Sequence, residues 1–282
     1  MIRWLVLAAL LGLTSCPPDL DEAPAYVTVE GFALNVRAGE GAPTTDIREV
    51  WAFVDGEFLG VFPLPARIPV FRSGTVSLRL EAGIRQDGRS VTPDIFPFYT
   101  PVEQAVELIP ETTVSLGTLT IGYRDATVFG FVADFEPGSP PVFTDVLTPG
   151  NAIRTETETV RSGVAAGAIE LSDTSRLFEV ATSAIFRGLN AVPINVWLEV
   201  DFLADAPTLF GVIGPQNLGT ARVFDPGFLP RPDWTKIYFN LGPVIGSADL
   251  DELRVALSSR LPDDLTAGTV YLDNVKLLYF IP

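Results

Sequence analysis

The stretch EVWAFVDGEFLGVFPL, residues 49–64, places two alternating apolar runs on either side of Asp55-Gly56. Alternation with a period of two sends successive side chains to opposite faces of a strand. An Asp-Gly pair readily adopts the positive φ that a tight turn requires. The segment therefore reads as a hairpin, Val50–Val54 and Glu57–Phe62. YVTVEGFAL, GTVSLRLEAGI and TTVSLGTLTIGY repeat the pattern upstream and downstream. With 24 Gly and 24 Pro breaking up short Val-, Thr- and Phe-rich segments, the chain reads as many short strands joined by turns. Only VEQAVELI, from Val102, has the makings of a helical turn in the first half. At 47% hydrophobic residues the chain can bury a core, and 282 residues suffice for two domains.

Charge and residue usage exclude several functions. The formal net charge is -16, so a nucleic-acid partner is excluded for want of a basic patch. Arginine carries nearly all the positive charge, because Lys236 and Lys276 are the only lysines. There is no histidine, which removes Ser-His catalysis and the commonest zinc ligand. One cysteine allows neither an intramolecular disulfide nor a thiolate cluster.

That cysteine, Cys16, follows Arg3, the apolar run Trp4–Leu13 and the small residues Thr14 and Ser15. The run is too short to span a bilayer. The tetrad Leu13-Thr14-Ser15-Cys16 resembles the lipobox of bacterial lipoproteins. The resemblance implies cleavage before Cys16, acylation of its thiol and amino group, and attachment to the outer membrane of a cell envelope, on its periplasmic face or at the cell surface. Residues 1–15 then form a signal peptide, and residues 16–25 a lipidated, acidic tether.

Residues 26–123 read as an N-terminal β-sandwich, Ig-like or transthyretin-like. VWAFVDGEFLGVFPLPARIPVF and IFPFYTP within it resemble N-terminal domains of surface lipoproteins of Bacteroidota-like bacteria, with Phe96 standing where that family has tyrosine. Residues 125–282 hold, in order, Asp134-Phe135-Glu136, Ser162-Gly163 with Gly167, and the strand Val270–Leu277. This order resembles the galactose-binding-like jelly roll of carbohydrate-binding modules. The fold class expected is all-β, with two β-sandwich domains.

The jelly-roll resemblance implies a structural Ca²⁺ held by Glu136 and Asp273; otherwise Asp273 pairs with an arginine or caps a strand edge. No other cofactor is expected. Asn274, Lys276 and Leu278 are expected to share a face with Val270 and Leu272. Trp197, Trp234, Tyr238 and Phe239 could stack on sugars, but their alternation reads as core. RVFDPGFLPRPDW, residues 222–234, reads as a long proline-rich loop, and its Phe224, Phe228 and Arg231 are the candidate ligand contacts. Glu170, Glu179, Glu199 and Asp201 read as solvent-facing strand positions, and RTETETV, from Arg154, as an exposed strand or loop. No catalytic residue is assigned. The expected function is a non-enzymatic binding or scaffolding module that contacts other envelope proteins, through an apolar patch at Ile95–Tyr99. The alternative is a carbohydrate-binding surface lipoprotein, and the remote alternative a glycoside hydrolase-like enzyme.

Overall fold

The computed structural model describes residues 23–89, 91–191, 195–216 and 219–281. Cys16 and the rest of the segment before residue 23 lie outside these. Ten strands come first: β1 (Ala25–Val29), β2 (Gly31–Leu34), β3 (Glu49–Val54), β4 (Glu57–Pro63), β5 (Ala66–Val70), β6 (Gly74–Arg85), β7 (Pro93–Ile95), β8 (Val102–Leu108), β9 (Thr113–Ser115) and β10 (Thr118–Ile121). They pair only among themselves, as a five-stranded sheet β4-β3-β6-β7 with β8 also on β6, a three-stranded sheet β5-β1-β9, and the pair β10-β2. The hairpin at Asp55-Gly56 forms, with both turn residues at positive φ. Val102–Ile109 contributes strand β8 rather than a helical turn, because Val106 and Leu108 fill the core beside Val76 and Leu78 of β6.

Twelve strands follow: β11 (Thr127–Ala133), β12 (Phe143–Val146), β13 (Arg154–Glu156), β14 (Ala166–Ser172), β15 (Leu177–Thr182), β16 (Phe186–Arg187), β17 (Val196–Ala204), β18 (Thr208–Gln216), β19 (Gly219–Phe228), β20 (Arg231–Asn240), β21 (Glu252–Arg260) and β22 (Ala267–Phe280). Two six-stranded sheets result. One is β13-β14-β22-β17-β20 with β11 on β22; the other is β12-β15-β21-β18-β19 with β16 on β21. They enclose a core that includes Leu198, Val200, Phe202, Phe210, Phe239 and Leu257. A short helix, Gly242–Ala248, closes one end with Val244 and Ile245 turned inward. The molecule is thus all-β, built of sandwiches. Among the described residues no helix is long and apolar enough to cross a membrane.

The expected strict alternation of β22 breaks at Asn274, whose φ is +45°. Its pairing with β17 slips between Glu199 and Asp201, as in a β-bulge. Val270 and Leu272 before the bulge, and Val275 and Leu277 after it, all face the core. Lys276 and Leu278 therefore face the opposite side, not the side of Val270.

That opposite side is not solvent. The first ten strands dock on it end-on. Phe96, Phe98, Tyr99 and Tyr123 from the first half pack with Trp197, Tyr238 and Leu278 from the second. Phe96 meets Trp197 edge-on at 5.6 Å and Tyr238 at 4.9 Å. The backbone joins in, with Asp87 N donating to Tyr238 O at 2.9 Å. This overturns the expected partner surface: within Ile95–Tyr99, Phe96, Phe98 and Tyr99 are buried against the chain's own second half. It supports the core reading of Trp197, Tyr238 and Phe239, all at most 2% exposed; Trp234 is half-buried.

Phe96 sits at the centre of this seam. Phe96→Ala is expected to lower the unfolding free energy of the full chain by about 3–5 kcal/mol. Phe71→Ala, at an exposed position, should change it by no more than about 0.5 kcal/mol. Urea unfolding measures both.

Candidate functional site

The seam carries charge as well as aromatic rings. Glu199 and Asp201 on β17, expected to face solvent, are fully buried. Their partners are the chain's only two lysines and Arg161, whose Nε lies 3.7 Å from Asp201 Oδ1. Lys236 Nζ lies 2.9 Å from Glu199 Oε2 and 3.4 Å from Asp201 Oδ2. Lys276 Nζ lies 3.8 Å from Glu199 Oε2 and donates to Tyr123 Oη at 3.0 Å. Tyr123 donates in turn to Glu199 Oε1 at 2.8 Å. The irregular segment between β2 and β3 straps across this cluster. Thr44 donates to Asp201 Oδ2 at 2.5 Å, Ala42 O accepts from Lys276 at 3.1 Å, and Asp46 N donates to Tyr238 Oη at 3.1 Å. Burial raises the Glu199 pKa, but the two ammonium groups and the tyrosine hydroxyl outweigh it and hold the carboxyl below its ordinary range. Burial pushes Lys276 down to about 8. Carboxylates paired and enclosed in this way hold the two halves together; they are not placed as an open acid–base pair.

Glu136 and Asp273 both hold residues 162–165. Glu136 Oε1 accepts from Val164 N at 2.8 Å and Ala165 N at 3.3 Å. Gly163, at φ +68°, leaves room for that carboxylate: a Cβ there would lie 1.8 Å from Oε1. Asp273 Oδ2 accepts from Ser162 N at 3.0 Å and Ser162 Oγ at 3.1 Å, and its Oδ1 from Asn274 N at 2.7 Å. Among the described residues, no three His, Cys, Asp or Glu side chains are placed to hold a metal. In this arrangement the two carboxylates tie down residues 162–165 from both sides.

A groove of about 800 Å³ opens where the two halves meet. Arg48, Arg85 and Arg89 line it from the first half and Arg231 from the second; Asp46, Asp87, Asp225 and Asp233 balance them. Arg48 pairs with Asp46 at 2.5 Å and Arg89 with Asp87 at 2.8 Å. Residues 222–234, expected to be a loop, form most of a β19–β20 hairpin turning at Leu229-Pro230. The three candidate residues there separate. Arg231 stands exposed on the groove wall. Phe228 is 4% exposed and stacks on Phe202 at 3.8 Å, which makes it core rather than an exposed contact. Phe224 turns to the far face of the other sheet, beside Ala181, Ile213 and Ala256.

Adjoining the groove is the outer face of the β4-β3-β6 sheet, which the sequence reading passed over. Val50, Ala52 and Val54 point inward, so Trp51 and Phe53 point out. Phe58 on β4 joins them, 5.5 Å from Trp51 and 5.3 Å from Phe53, and is 55% exposed. Gly83 on β6 lets the indole lie close against the sheet: a Cβ there would come within 2.9 Å of Trp51 Cδ1. Arg79 lies over the Phe53 ring at 5.0 Å and pairs with Glu81 and Glu103. Arg85, paired with Glu49 at 2.9 Å, belongs both to this margin and to the groove. Hairpin alternation contained the signal, since an aromatic at each outward position of β3 has no core to fill. For the buried ion cluster the signal was two lone lysines inside apolar strands.

Burial raises Asp273 to about 7, against its three hydrogen bonds, with Asp201 adding to the rise. Between about pH 4 and 7 the native state keeps a proton that the unfolded chain releases, so this group's stabilising contribution is lost as pH rises through that window. Stability should fall across it by at most roughly 4 kcal/mol from this residue. Asp273→Asn should remove that slope in urea unfolding measured at pH 4, 5, 6 and 7.

No family model matches the chain, and no curated protein matches it. Solved structures that resemble it include carbohydrate-binding modules. A study of such modules from the β-sandwich superfamily aligns with 82% of this chain and 85% of that one, at 13% identity and a TM-score of 0.37. A family 30 module of a Clostridium thermocellum cellulosomal cellulase aligns with 54% of this chain and 96% of its own length, at 15% identity and a TM-score of 0.41. A family 22 module from the same organism aligns with 53% of this chain and 91% of its own, at 13% identity and a TM-score of 0.36.

Proposed function

We propose that the protein is a non-catalytic carbohydrate-binding protein of the cell envelope, tied to the membrane by a lipid on Cys16. The observation that carries the binding half of this reading is the outward aromatic face of half-buried Trp51 and Phe53 and exposed Phe58. A pyranose ring presents an apolar C–H face that suits an aromatic ring, and hydroxyls around its rim that want donors and acceptors together. Arg79 and Glu103 supply both kinds at the edge of the rings, and both are exposed. The groove continues the surface through Arg85. Its four guanidinium groups face four carboxylates, and the ammonium of Lys236, which also lines it, is paired with Glu199 and Asp201, so the groove favours a neutral polyhydroxylated ligand over a polyanion. The lipid anchor is supported by the apolar run Trp4–Leu13 and the Thr14-Ser15-Cys16 that follows it. A scaffolding role resting on Ile95–Tyr99 loses its footing, because the second half of the chain covers that segment.

The test is affinity electrophoresis of the full chain through gels cast with neutral polysaccharides: β-glucans, xylans and mannans. At least one should retard it. Trp51→Ala should weaken that binding at least tenfold, a loss of about 1.4 kcal/mol, with the fold intact by circular dichroism. Phe224→Ala, on the far side of the other sandwich, should bind as the unaltered protein does. Free migration of the unaltered chain through every gel would refute the reading.

A further inference from the structure

The aromatic seam occupies one end of the first sandwich. The other end has a different character. Turns converge there at Asp55-Gly56, Phe71–Ser73 and Ile109–Thr112. The chain emerges beside them: Glu111 N donates to Pro24 O at 3.0 Å, and Ala25 pairs with Val70. Strand β6 leads from this tip at Gly74 to the seam at Arg85, twelve residues, about 36 Å.

Two of these turns, and strand β4 just after the third, hold apolar side chains in solvent. Phe71 is 56% exposed, Ile109 58% and Leu59 36%, the last beside Phe71 in a shallow depression whose far margin is Phe58 of the aromatic face. Apolar side chains on separate protruding turns do not make the flat patch that a folded protein partner needs. They do match a soft surface that several short projections can enter.

We infer that this tip seats on a lipid bilayer, with Phe71, Ile109 and Leu59 entering its interfacial layer. The inference rests on the anchor reading given above. The nine residues from Cys16 to Pro24, eight Cα-to-Cα steps, reach about 29 Å at most, so a lipid on Cys16 holds this end of the sandwich, and not the seam end, against the membrane. Charge narrows the lipid: Asp55, Glu57 and Glu111 outnumber Arg72 at the tip, which suits zwitterionic headgroups rather than anionic ones. Seated in this way, the sandwich stands on its tip and carries the groove and the second half away from the membrane.

The test uses the full-length, acylated protein in phosphatidylcholine vesicles. With the Cys16 thiol acylated, a Ser73→Cys substitution supplies the only free thiol for a nitroxide label; a second protein carries the label at Asp264→Cys, in the second half. Accessibility to oxygen and to a water-soluble nickel chelate is then read by electron paramagnetic resonance. The expected result is oxygen access well above nickel access at 73 and the reverse at 264. Replacing Phe71 and Ile109 by serine should return the label at 73 to aqueous values while the protein stays bound to the vesicles. A label at 73 that is aqueous in the vesicle-bound protein overturns the seating and leaves the anchor standing. A label shielded from both probes overturns it in favour of a second copy of the chain. An intact mass without acyl chains overturns the anchor, and the seating with it.

Discussion

A fully buried carboxylate survives in a protein only when something nearby compensates its lost hydration. Glu199 is 0% exposed, and its compensation comes from both halves of the chain: Lys236 and Lys276 from its own sheet, Tyr123 from the segment that joins the sandwiches. Deleting one partner of such a cluster costs about 3–5 kcal/mol, because the remaining charge stays buried and unpaired. The cluster is therefore stable only while the first half covers it, and the arrangement of the whole molecule follows from that requirement. The strap at Ala42 and Thr44 completes the hydrogen bonds, and the rings of Phe96, Trp197 and Tyr238 keep water away from one side.

Three features elsewhere depend on the seam. The groove exists because the β19–β20 hairpin and residues 85–89 are brought face to face. The aromatic face of β3 remains open because the first half docks through its end and not through its broad sheet. The tip with Phe71 and Ile109 is turned away from the second half for the same reason. Groove, first sandwich and the tip where the chain emerges are thereby set along one axis.

The local chemistry behind the cluster is a single irregular residue. With Asn274 at positive φ, β22 gains one residue relative to β17, and its side chains change faces midway. Without the bulge, Lys276 would point into an apolar core where no carboxylate waits. With it, Lys276 stands opposite Glu199. The neighbouring Asp273 is directed at Ser162 and holds the loop that Glu136 grips from the other side.

The sequence by itself determined that this chain is all-β in class, since period-two alternation and frequent turn residues favour short strands almost throughout, and the hairpin at Asp55-Gly56 could be drawn residue by residue. It also pointed to Trp197 as core, and its jelly-roll resemblance paired Glu136 with Asp273, though not with Ser162 and Gly163. It did not show what they hold, because a carboxylate that accepts backbone N–H groups and one that binds a cation look alike as letters. What only the tertiary structure decided is which surfaces meet. Glu199 and Asp201 alternate as solvent-facing residues do, and Phe96-Pro97-Phe98 reads as an exposed apolar patch. Both expectations failed for one reason: alternation tells which side of a strand a residue occupies, and only long-range packing decides whether that side faces water or another part of the same chain.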